Sequence, residues 1–557
     1  LMTPYLSDSG AAQSTIFFNG GCLAPWGSAG VGDFIRNVKR LYVQPGGVVI
    51  DTAATAMTIT RSFVDDPAYA GVAGGFTKLG SGTLYLSASN AFSGPITVTD
   101  GQLQFMATNG LPATYSGSIL LTSNALVAAR QIGGATLLAQ QMQASSVGRI
   151  GLYAINTNDA INLASLPNVT LEYLESGSFN MAITPYNNRY IFSPVGNATV
   201  TYGGAIADVT GYPASITLST NTPASGRLIL DQANAMTGPV TIEGGILEIR
   251  HAEALGTSAA GQNITLRNFA ALKLNAENIP ADFVATRITP DSQGVLLLGP
   301  ACTNQTLNLA GYPGLYVGTD EVTLNYTGAL TPDGTTYRLG GGLLSTSINA
   351  TGLNIASLQD DGATPRRVVI GQPGVVYLKA GNSYSGGTRI ESSGVAYVAA
   401  DGGFGAVPAS VDAQNIVLDG GFLRSTNTLN TLHANRGVYV DNAGACLHVY
   451  SGCRLLIQDP LSGTAPLAIT DVGTVQLGSA DNTFNGPVSL NPVNGATTFE
   501  IGTGTAYSWI STQPFTGSNQ GGAVALNANA TMTFASKLDG TLTMVKRGSG
   551  AASLSVG

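Results

Sequence analysis

The feature that most constrains the fold of this chain is a strand-and-corner pattern that recurs four times. Each copy opens with Gly and a short strand of alternating apolar residues, and Asn follows the Gly after eight or nine positions. A second Gly follows the Asn after four positions, with an aromatic residue or Met midway between them. The copies start at Gly82, Gly226, Gly374 and Gly473. Since no such unit can bury its apolar side alone, the repetition predicts stacked rungs.

The corner residues of the pattern have distinct expected roles. Asn tolerates a bent backbone and bonds readily to nearby main-chain groups, while Gly allows a tight turn. The large residue between them is expected to fill a core position. The predicted corners are Asn90, Gly94, Asn234, Gly238, Asn382, Gly386, Asn482 and Gly486, and the predicted core plugs are Phe92, Met236, Tyr384 and Phe484.

Further short strands complete each unit. Ile96–Val98 follows the first corner, and a Gly turn then leads to Gly101–Phe105. We therefore expect three short strands and three corners in roughly 25 residues to form one rung. The predicted fold is all-β, a right-handed parallel β-helix (β-solenoid) of irregular rungs.

The composition agrees with an all-β chain and excludes several other classes. Charged residues make up 10% of the chain and hydrophobic residues 44%, whereas disordered chains are highly charged and poorly hydrophobic. The net charge is −8, and no basic stripe is present that could neutralise phosphates, so nucleic acid is not an expected partner. The sequence also lacks an apolar run long enough for a transmembrane helix.

The four copies resemble the autotransporter-associated β-strand repeat. Its pattern runs Gly-Thr-Leu-x-Leu-x-Gly-x-Asn-x-Tyr-x-Gly-Gly-Thr, followed by a Gly-x-Leu strand, and Asn382–Thr388 is most similar to it. Pro95, Pro239 and Pro487 stand where the family often has Gly. The resemblance implies a right-handed parallel β-helix, export across the cell envelope, and a role as adhesin stalk or surface layer. It implies no catalytic residues.

The repeats divide the chain into six predicted segments. Residues 1–75 hold β-helix rungs with the motif Phe18-Asn19-Gly20-Gly21, and 542–557 are expected to begin a further, truncated unit. Repeat units with their spacer rungs fill the segments between, which are 76–223, 224–372, 373–470 and 471–541.

Residues that could carry chemistry are few and scattered. Cys446 and Cys453 flank a short turn, which permits a local disulfide, and His448 between them permits a metal site, although no fourth ligand is visible nearby. The densest charge cluster, Asp360-Asp361 with Arg366-Arg367, reads first as a solvated turn and only second as a catalytic pair. Asp65-Asp66 reads in the same way. The sequence therefore predicts no catalytic, cofactor or metal residues.

The expected function is that of a non-enzymatic extracellular structural or adhesive β-solenoid, a segment of a larger bacterial surface or filament protein. Its expected partners are copies or neighbouring segments of the same protein, and surface glycans are a further candidate. Exposed tyrosines on a flat solenoid face suit glycans because a tyrosine offers both an apolar ring and a hydroxyl. Two alternatives stay open: a glycan-binding adhesin or fibre, and a polysaccharide-degrading β-helix.

Overall fold

A computed structural model describes most of the chain. The described residues are 1–7, 14–26, 31–220, 226–257, 261, 263–342, 352–371, 374–391, 394–428, 430–492, 497–504, 509, 511–518 and 520–554. The chain divides into two compact units, Leu1–Ala270 and Ala271–Gly557. The predicted boundaries at 223/224 and 372/373 lie outside the described residues, and the division into repeat units stays a prediction.

The first unit is built from short strands. They are β1 (Met2–Thr3), β2 (Leu6–Ser7), β3 (Thr15–Phe18), β4 (Cys22–Pro25), β5 (Val31–Asp33), β6 (Ile35–Arg36), β7 (Arg40–Val43), β8 (Val48–Asp51), β9 (Met57–Ile59), β10 (Phe63–Asp65), β11 (Phe76–Leu79), β12 (Thr83–Leu86), β13 (Ile96–Val98), β14 (Gln102–Phe105), β15 (Ile119–Leu121), β16 (Ala125–Ala129), β17 (Gly148–Leu152), β18 (Ile161–Asn162), β19 (Val169–Tyr173), β20 (Gly177–Phe179), β21 (Ile183–Thr184), β22 (Arg189–Pro194), β23 (Thr199–Tyr202), β24 (Ser215–Leu218), β25 (Arg227–Leu230), β26 (Val240–Ile242), β27 (Ile246–Ile249) and β28 (Ile264–Leu266).

The second unit has the same character. Its strands are β29 (Ala271–Leu274), β30 (Gly294–Leu298), β31 (Leu307–Asn308), β32 (Leu315–Thr319), β33 (Thr323–Tyr326), β34 (Leu330–Thr331), β35 (Thr336–Gly342), β36 (Gly352–Ile355), β37 (Arg367–Ile370), β38 (Gly374–Leu378), β39 (Thr388–Glu391), β40 (Gly394–Val398), β41 (Asp412–Asp419), β42 (Phe422–Ser425), β43 (Asn430–Leu432), β44 (Arg436–Val440), β45 (Ala445–Val449), β46 (Arg454–Ile457), β47 (Leu461–Gly463), β48 (Leu467–Thr470), β49 (Thr474–Leu477), β50 (Val488–Asn491), β51 (Thr498–Ile501), β52 (Phe515–Gly517), β53 (Ala523–Asn527), β54 (Met532–Phe534), β55 (Leu538–Gly540), β56 (Thr543–Arg547) and β57 (Ala552–Leu554).

Strands from successive turns of the chain pair in parallel and form long sheets. In the first unit one sheet runs β1-β4-β8-β11-β13-β15 and another runs β5-β9-β12-β14-β16-β17-β19-β22-β24-β26-β28. In the second unit one sheet runs β33-β36-β38-β40-β42-β45-β48-β50-β52-β55 and another runs β43-β46-β49-β51-β53-β56. Each sheet takes one strand from each turn, as a solenoid requires. The predicted class, an all-β parallel β-solenoid, is confirmed.

The repeat unit spans more than one rung. Its first strand, β12, pairs with its third strand, β14, so that Leu84 lies opposite Leu103 in the same sheet. Its second strand, β13, lies in another sheet, where Ile96 is opposite Phe76. The expectation that all three strands form a single rung was therefore wrong. Sequence spacing alone could not reveal this, because alternation reports which face is apolar and not which strand is its neighbour.

The interior follows the alternation of the strands. The fully buried residues of β12 and β14 are Leu84, Leu86, Leu103 and Phe105. The first residue of each strand, Thr83 or Gln102, is more exposed. Identical positions of successive rungs stack, which builds a continuous apolar column from strands that are too short to be stable alone.

Helical structure is sparse and lies at corners. Among the described residues, the α-helices are α1 (Gly134–Gln141) and α2 (Phe283–Arg287). Short 3-10 turns cover Pro67–Tyr69, Ala154–Asn156, Tyr186–Asn188, Pro300–Cys302 and Asp401–Phe404. Neither α-helix, nor any other helix in the described part of the chain, has the length and apolar character needed to cross a membrane.

Candidate functional site

The Asn at the first repeat corner joins three successive rungs. The side chain of Asn90 is buried, and its Oδ1 accepts a hydrogen bond from the backbone N–H of Phe63, 27 residues earlier, at 3.0 Å. Its Nδ2 donates to the carbonyl of Gly110, 20 residues later, at 2.8 Å, and to the carbonyl of Ala88 at 3.0 Å. One amide therefore satisfies main-chain groups before and after its own rung, as buried polar groups require.

The other three predicted corner asparagines are buried and reach backward in the same way. Their Oδ1 atoms accept from the backbone N–H groups of Ile206, Leu358 and Leu461. Asn234 also donates forward to the carbonyl of Ala254, and Asn382 donates forward to that of Gly403. Asn482 donates to the carbonyl of Ser479 within its own rung. The same contact thus recurs at all four corners.

Other amide side chains extend these contacts to rungs that lack the repeat. Gln131 accepts from the backbone N–H of Leu111 and donates to the carbonyl of Leu111. Asn156 in turn donates to the carbonyl of Gln131. Sequence reasoning missed both residues because neither has the fixed Gly spacing that marks the repeat.

The Gly four positions after each Asn allows close backbone approach between rungs. A Cβ atom added to Gly94 would lie 2.0 Å from the carbonyl oxygen of Gly74. The corresponding distances are 2.3 Å from Ala214 for Gly238, 2.7 Å from Arg366 for Gly386, and 2.2 Å from Ala465 for Gly486. These positions therefore require Gly because the preceding rung occupies the space of a side chain.

The residues predicted as core plugs lie in the interior. Phe92, Met236, Tyr384 and Phe484 are at most 1% exposed. Phe92 stacks on Phe76 with ring centroids 5.5 Å apart. The hydroxyl of Tyr384 lies 2.6 Å from the hydroxyl of Thr388, which satisfies its polar end inside the core.

Aspartates before three of the corners clamp the corner from the preceding rung. Asp65 accepts hydrogen bonds from the backbone N–H and the hydroxyl of Ser93. Asp208 accepts the same pair from Thr237, and Asp360 accepts from the backbone N–H of Ser385. Sequence reasoning considered Asp65 and Asp360 only as turn residues or catalytic candidates. The signal it missed was the Ser or Thr three residues after Asn90, Asn234 and Asn382.

Two of these clamps favour the ionised form of the carboxylate. Although partial desolvation acts in the opposite direction, hydrogen bonds from Thr237 and Ala214 lower the pKa of Asp208. Hydrogen bonds from Ser385 and Arg366 lower the pKa of Asp360 against the same opposing effect. A general acid for glycoside cleavage needs a raised pKa, which these two groups do not have.

Three carboxylates of the second unit gather around Arg389. Glu391 lies opposite Asp419 on the neighbouring strand, and Asp441 belongs to the next turn. Arg389 bonds all three carboxylates, at 2.9 Å to Glu391, 2.5 Å to Asp419 and 2.9 Å to Asp441. Hydrogen bonds from Asn442 and Arg389 lower the pKa of Asp441. The cluster is thus an ion-pair network that joins three strands.

The cysteines predicted as a possible disulfide are free thiols in the structure. The sulfur of Cys446 lies 3.4 Å from the hydroxyl of Thr470, and Cys453 donates to the carbonyl of Thr426. His448 contacts the hydroxyl of Thr470 through Nδ1 at 2.9 Å. Across the described residues, no group of three His, Cys, Asp or Glu side chains is placed to hold a metal ion.

One outward face of the second unit gathers aromatic side chains around an arginine. In the sheet of β38, β40, β42 and β45, Tyr377 lies opposite Tyr397, Tyr397 opposite Arg424, and Arg424 opposite His448. Tyr450 belongs to the same face, since its ring lies 4.9 Å from that of His448 and 6.3 Å from that of Tyr397. We call these five half-buried residues the tyrosine–arginine surface.

The arginine of this surface lacks an internal counterpart. The Nε and Nη1 atoms of Arg424 are shielded from solvent and have no hydrogen-bond partner. Desolvation, together with the charge of Arg424, lowers the pKa of His448 against the opposing charge of Asp471. The imidazole is therefore neutral at pH 7, and Arg424 is the cation of this surface. Burial raises the pKa of Tyr450, whose hydroxyl stays protonated.

An open groove begins where this surface ends. It has a volume of about 380 Å³ and is lined by Thr428, Gly452, Cys453, Arg454, Val472, Gly473 and Thr474. Gly452 lies two residues after Tyr450 in the chain, and Val472 directly follows Asp471. Aromatic rings, a guanidinium and a polar groove therefore occupy neighbouring stretches of one unit.

Stacked parallel rungs with amide-bridged corners define a parallel β-solenoid. Residues 76–105, 225–249 and 373–395 match the passenger-associated-transport repeat family. Over 167 residues the chain is 33% identical to the adhesin BmaC autotransporter of Brucella suis biovar 1, an alignment that covers 30% of this chain and 4% of that adhesin. These three segments therefore carry an autotransporter-associated β-repeat, and the resemblance that the motifs predicted is confirmed. No solved structure matches it.

Proposed function

We propose that this chain is a non-enzymatic structural and adhesive part of a bacterial surface protein. The observation that carries the proposal is the use of its polar side chains for cohesion between rungs. Asn90, Asn234 and Asn382 each bond to backbone groups of the rungs before and after their own. Such contacts resist separation of the rungs, which is the property that a stalk or surface layer needs.

The carboxylates add support for a non-catalytic role. Asp65, Asp208 and Asp360 clamp repeat corners, and Arg389 holds three carboxylates in ion pairs. Hydrolysis of a glycoside requires a protonated acid beside an ionised partner. The pKa values of Asp208, Asp360 and Asp441 are lowered, so these three carboxylates suit the role of the protonated acid poorly.

The similarity to an adhesin agrees with a location at the cell surface or in the medium. Neighbouring segments of the same protein are the partners we propose first, since exposed strand edges at the end of a β-stack readily pair with further strands.

The test is surface labelling combined with an attachment assay. Antibodies against the chain should decorate intact, unpermeabilised producing cells in electron micrographs, and deletion of the gene should reduce attachment of the cells to a substratum. Complementation with the intact gene is the control. Labelling that appears only after permeabilisation, or attachment that deletion leaves unchanged, would contradict the proposal.

A further inference from the structure

We propose that the tyrosine–arginine surface binds a saccharide that carries a carboxylate, such as a uronic or sialic acid unit. The inference rests on the proposed adhesive function and names the chemical class of its ligand. Four observations carry it: the strand register, the aromatic rings, the unpaired guanidinium and the adjoining groove.

The register arranges the surface as a periodic row. Tyr377, Tyr397, Arg424 and His448 occupy equivalent positions on four successive parallel strands. Neighbouring strands lie about 4.8 Å apart, so this row extends over roughly 14 Å. The strand spacing of about 4.8 Å is close to the length of one pyranose unit. A short oligosaccharide lying along the stack would therefore place successive sugar units over successive side chains.

The aromatic rings supply the apolar part of the contact. The rings of Tyr377 and Tyr397 are 5.3 Å apart in an edge-to-face arrangement, and Tyr450 packs against Tyr397 and His448. All are half-buried, so that the rings support one another and still present area to solvent. A tyrosine held in this way loses little side-chain entropy on binding and offers both C–H contacts and a hydroxyl to a sugar.

Arg424 supplies the preference for a carboxylate. Three other arginines of the described residues, at comparable or greater depth, are paired: Arg389 with three carboxylates, Arg436 with Asp401, and Arg149 with Glu172. Arg424 forms no such pair within the described part of the chain, and two of its nitrogens lack hydrogen bonds. A partly desolvated guanidinium without a counter-ion is unfavourable, and the negative charge of a ligand carboxylate would offset that cost.

The groove after Tyr450 can receive the remaining sugar units of the oligosaccharide. Thr428, Thr474 and Arg454 line it with hydroxyl and guanidinium donors. The nearby Asp471 lies 3.3 Å from Nε2 of His448 and adds an acceptor for sugar hydroxyls. Apolar faces and directed polar groups therefore meet at one end of the row.

The experiment is titration calorimetry of the whole chain with four probes. Trigalacturonic acid and sialyllactose carry carboxylates, and galactotriose and lactose are their neutral counterparts. We expect at least one acidic probe to bind at least tenfold more tightly than its neutral counterpart. The acidic probe that binds identifies the source, a uronate polymer or a sialylated glycan.

The variants separate charge from packing. Arg424→Gln should weaken binding of the acidic probe at least tenfold, and Tyr397→Ala should weaken it as well. The control is Arg267→Gln, an exposed arginine of the first unit, which should leave binding unchanged. The thermal midpoint of Arg424→Gln should not fall, because that arginine makes no internal ion pair.

Three results would overturn the inference. They are equal binding of acidic and neutral probes, an equal effect of Arg424→Gln and Arg267→Gln, and no binding of either acidic probe. Surface labelling and attachment are measured separately, so a protein that fails here can still satisfy the proposed adhesive function.

Discussion

Replacement of a corner asparagine should loosen the rungs on both sides of it. In Asn90→Ala the backbone N–H of Phe63 and the carbonyl of Gly110 lose their side-chain partner. The amide makes three hydrogen bonds, two of which cross to other rungs. At about 1 kcal/mol for each bond, the local cost is about 3 kcal/mol.

This loss of stability is best measured locally, in the rungs next to Asn90. A solenoid of this length need not unfold in one step, so a global midpoint would average the effect over many rungs. Hydrogen exchange followed by mass spectrometry on peptides around Phe63 reports local opening. A loss of about 3 kcal/mol corresponds to exchange that is on the order of 100-fold faster, since each 1.4 kcal/mol is tenfold.

Two further variants sharpen the test. Asn90→Asp keeps an acceptor for Phe63 but turns a carboxylate oxygen toward the carbonyls of Ala88 and Gly110, so protection should fall further than in Asn90→Ala. Asn109→Ala, at an exposed position beside Gly110, is the matched control and should change little. If Asn90→Ala accelerates exchange less than threefold, or if Asn90→Asp exchanges no faster than Asn90→Ala, the bridging role is refuted.

Three other substitutions test the remaining contacts. Gly94→Ala should destabilise its corner by about 3 kcal/mol or more, because the new Cβ would overlap a carbonyl. The control Gly402→Ala, whose new Cβ would have its nearest neighbour 3.9 Å away, should change stability by less than about 1 kcal/mol. Local hydrogen-exchange rates check both. Asp459 is buried with an unpaired Oδ2, and desolvation and nearby carboxylates raise its pKa to about 6. Because the folded state then holds a proton that the unfolded chain has released, the stability of the protein falls as pH rises from about 4 to 6. Asp459→Asn should therefore stabilise the protein at pH 7 by about 1 kcal/mol but not at pH 3.5. Equal effects at both pH values in thermal unfolding would contradict this. Arg436→Met removes a fully buried guanidinium that bonds Asp401 and the carbonyls of Phe404 and Gly405. It should destabilise the turn at Asp401–Phe404 by about 3 kcal/mol, measured as faster hydrogen exchange in that turn. Unchanged exchange would show that these bonds contribute little.

The fold class followed from the sequence because the repeat is local. Alternation over four or five residues marks a strand with one apolar face, and Gly and Asn mark its ends. The strands at Thr83–Leu86, Ile96–Val98 and Gln102–Phe105 lie where the pattern placed them. The resemblance to a known repeat followed from the same spacing, and the family match confirms it.

The tertiary structure alone decided which residues meet across rungs. Asp65 and Ser93 are 28 residues apart, and Tyr377, Tyr397 and Arg424 belong to three strands joined by unequal loops. The irregular length of the turns erases any fixed sequence period for such contacts, because a longer corner shifts the next strand along the chain without moving it in the stack. Local residue preferences therefore determine the strands and corners, which the sequence alone predicts. The clamps, the ion-pair network and the tyrosine–arginine surface form only when the rungs stack in register.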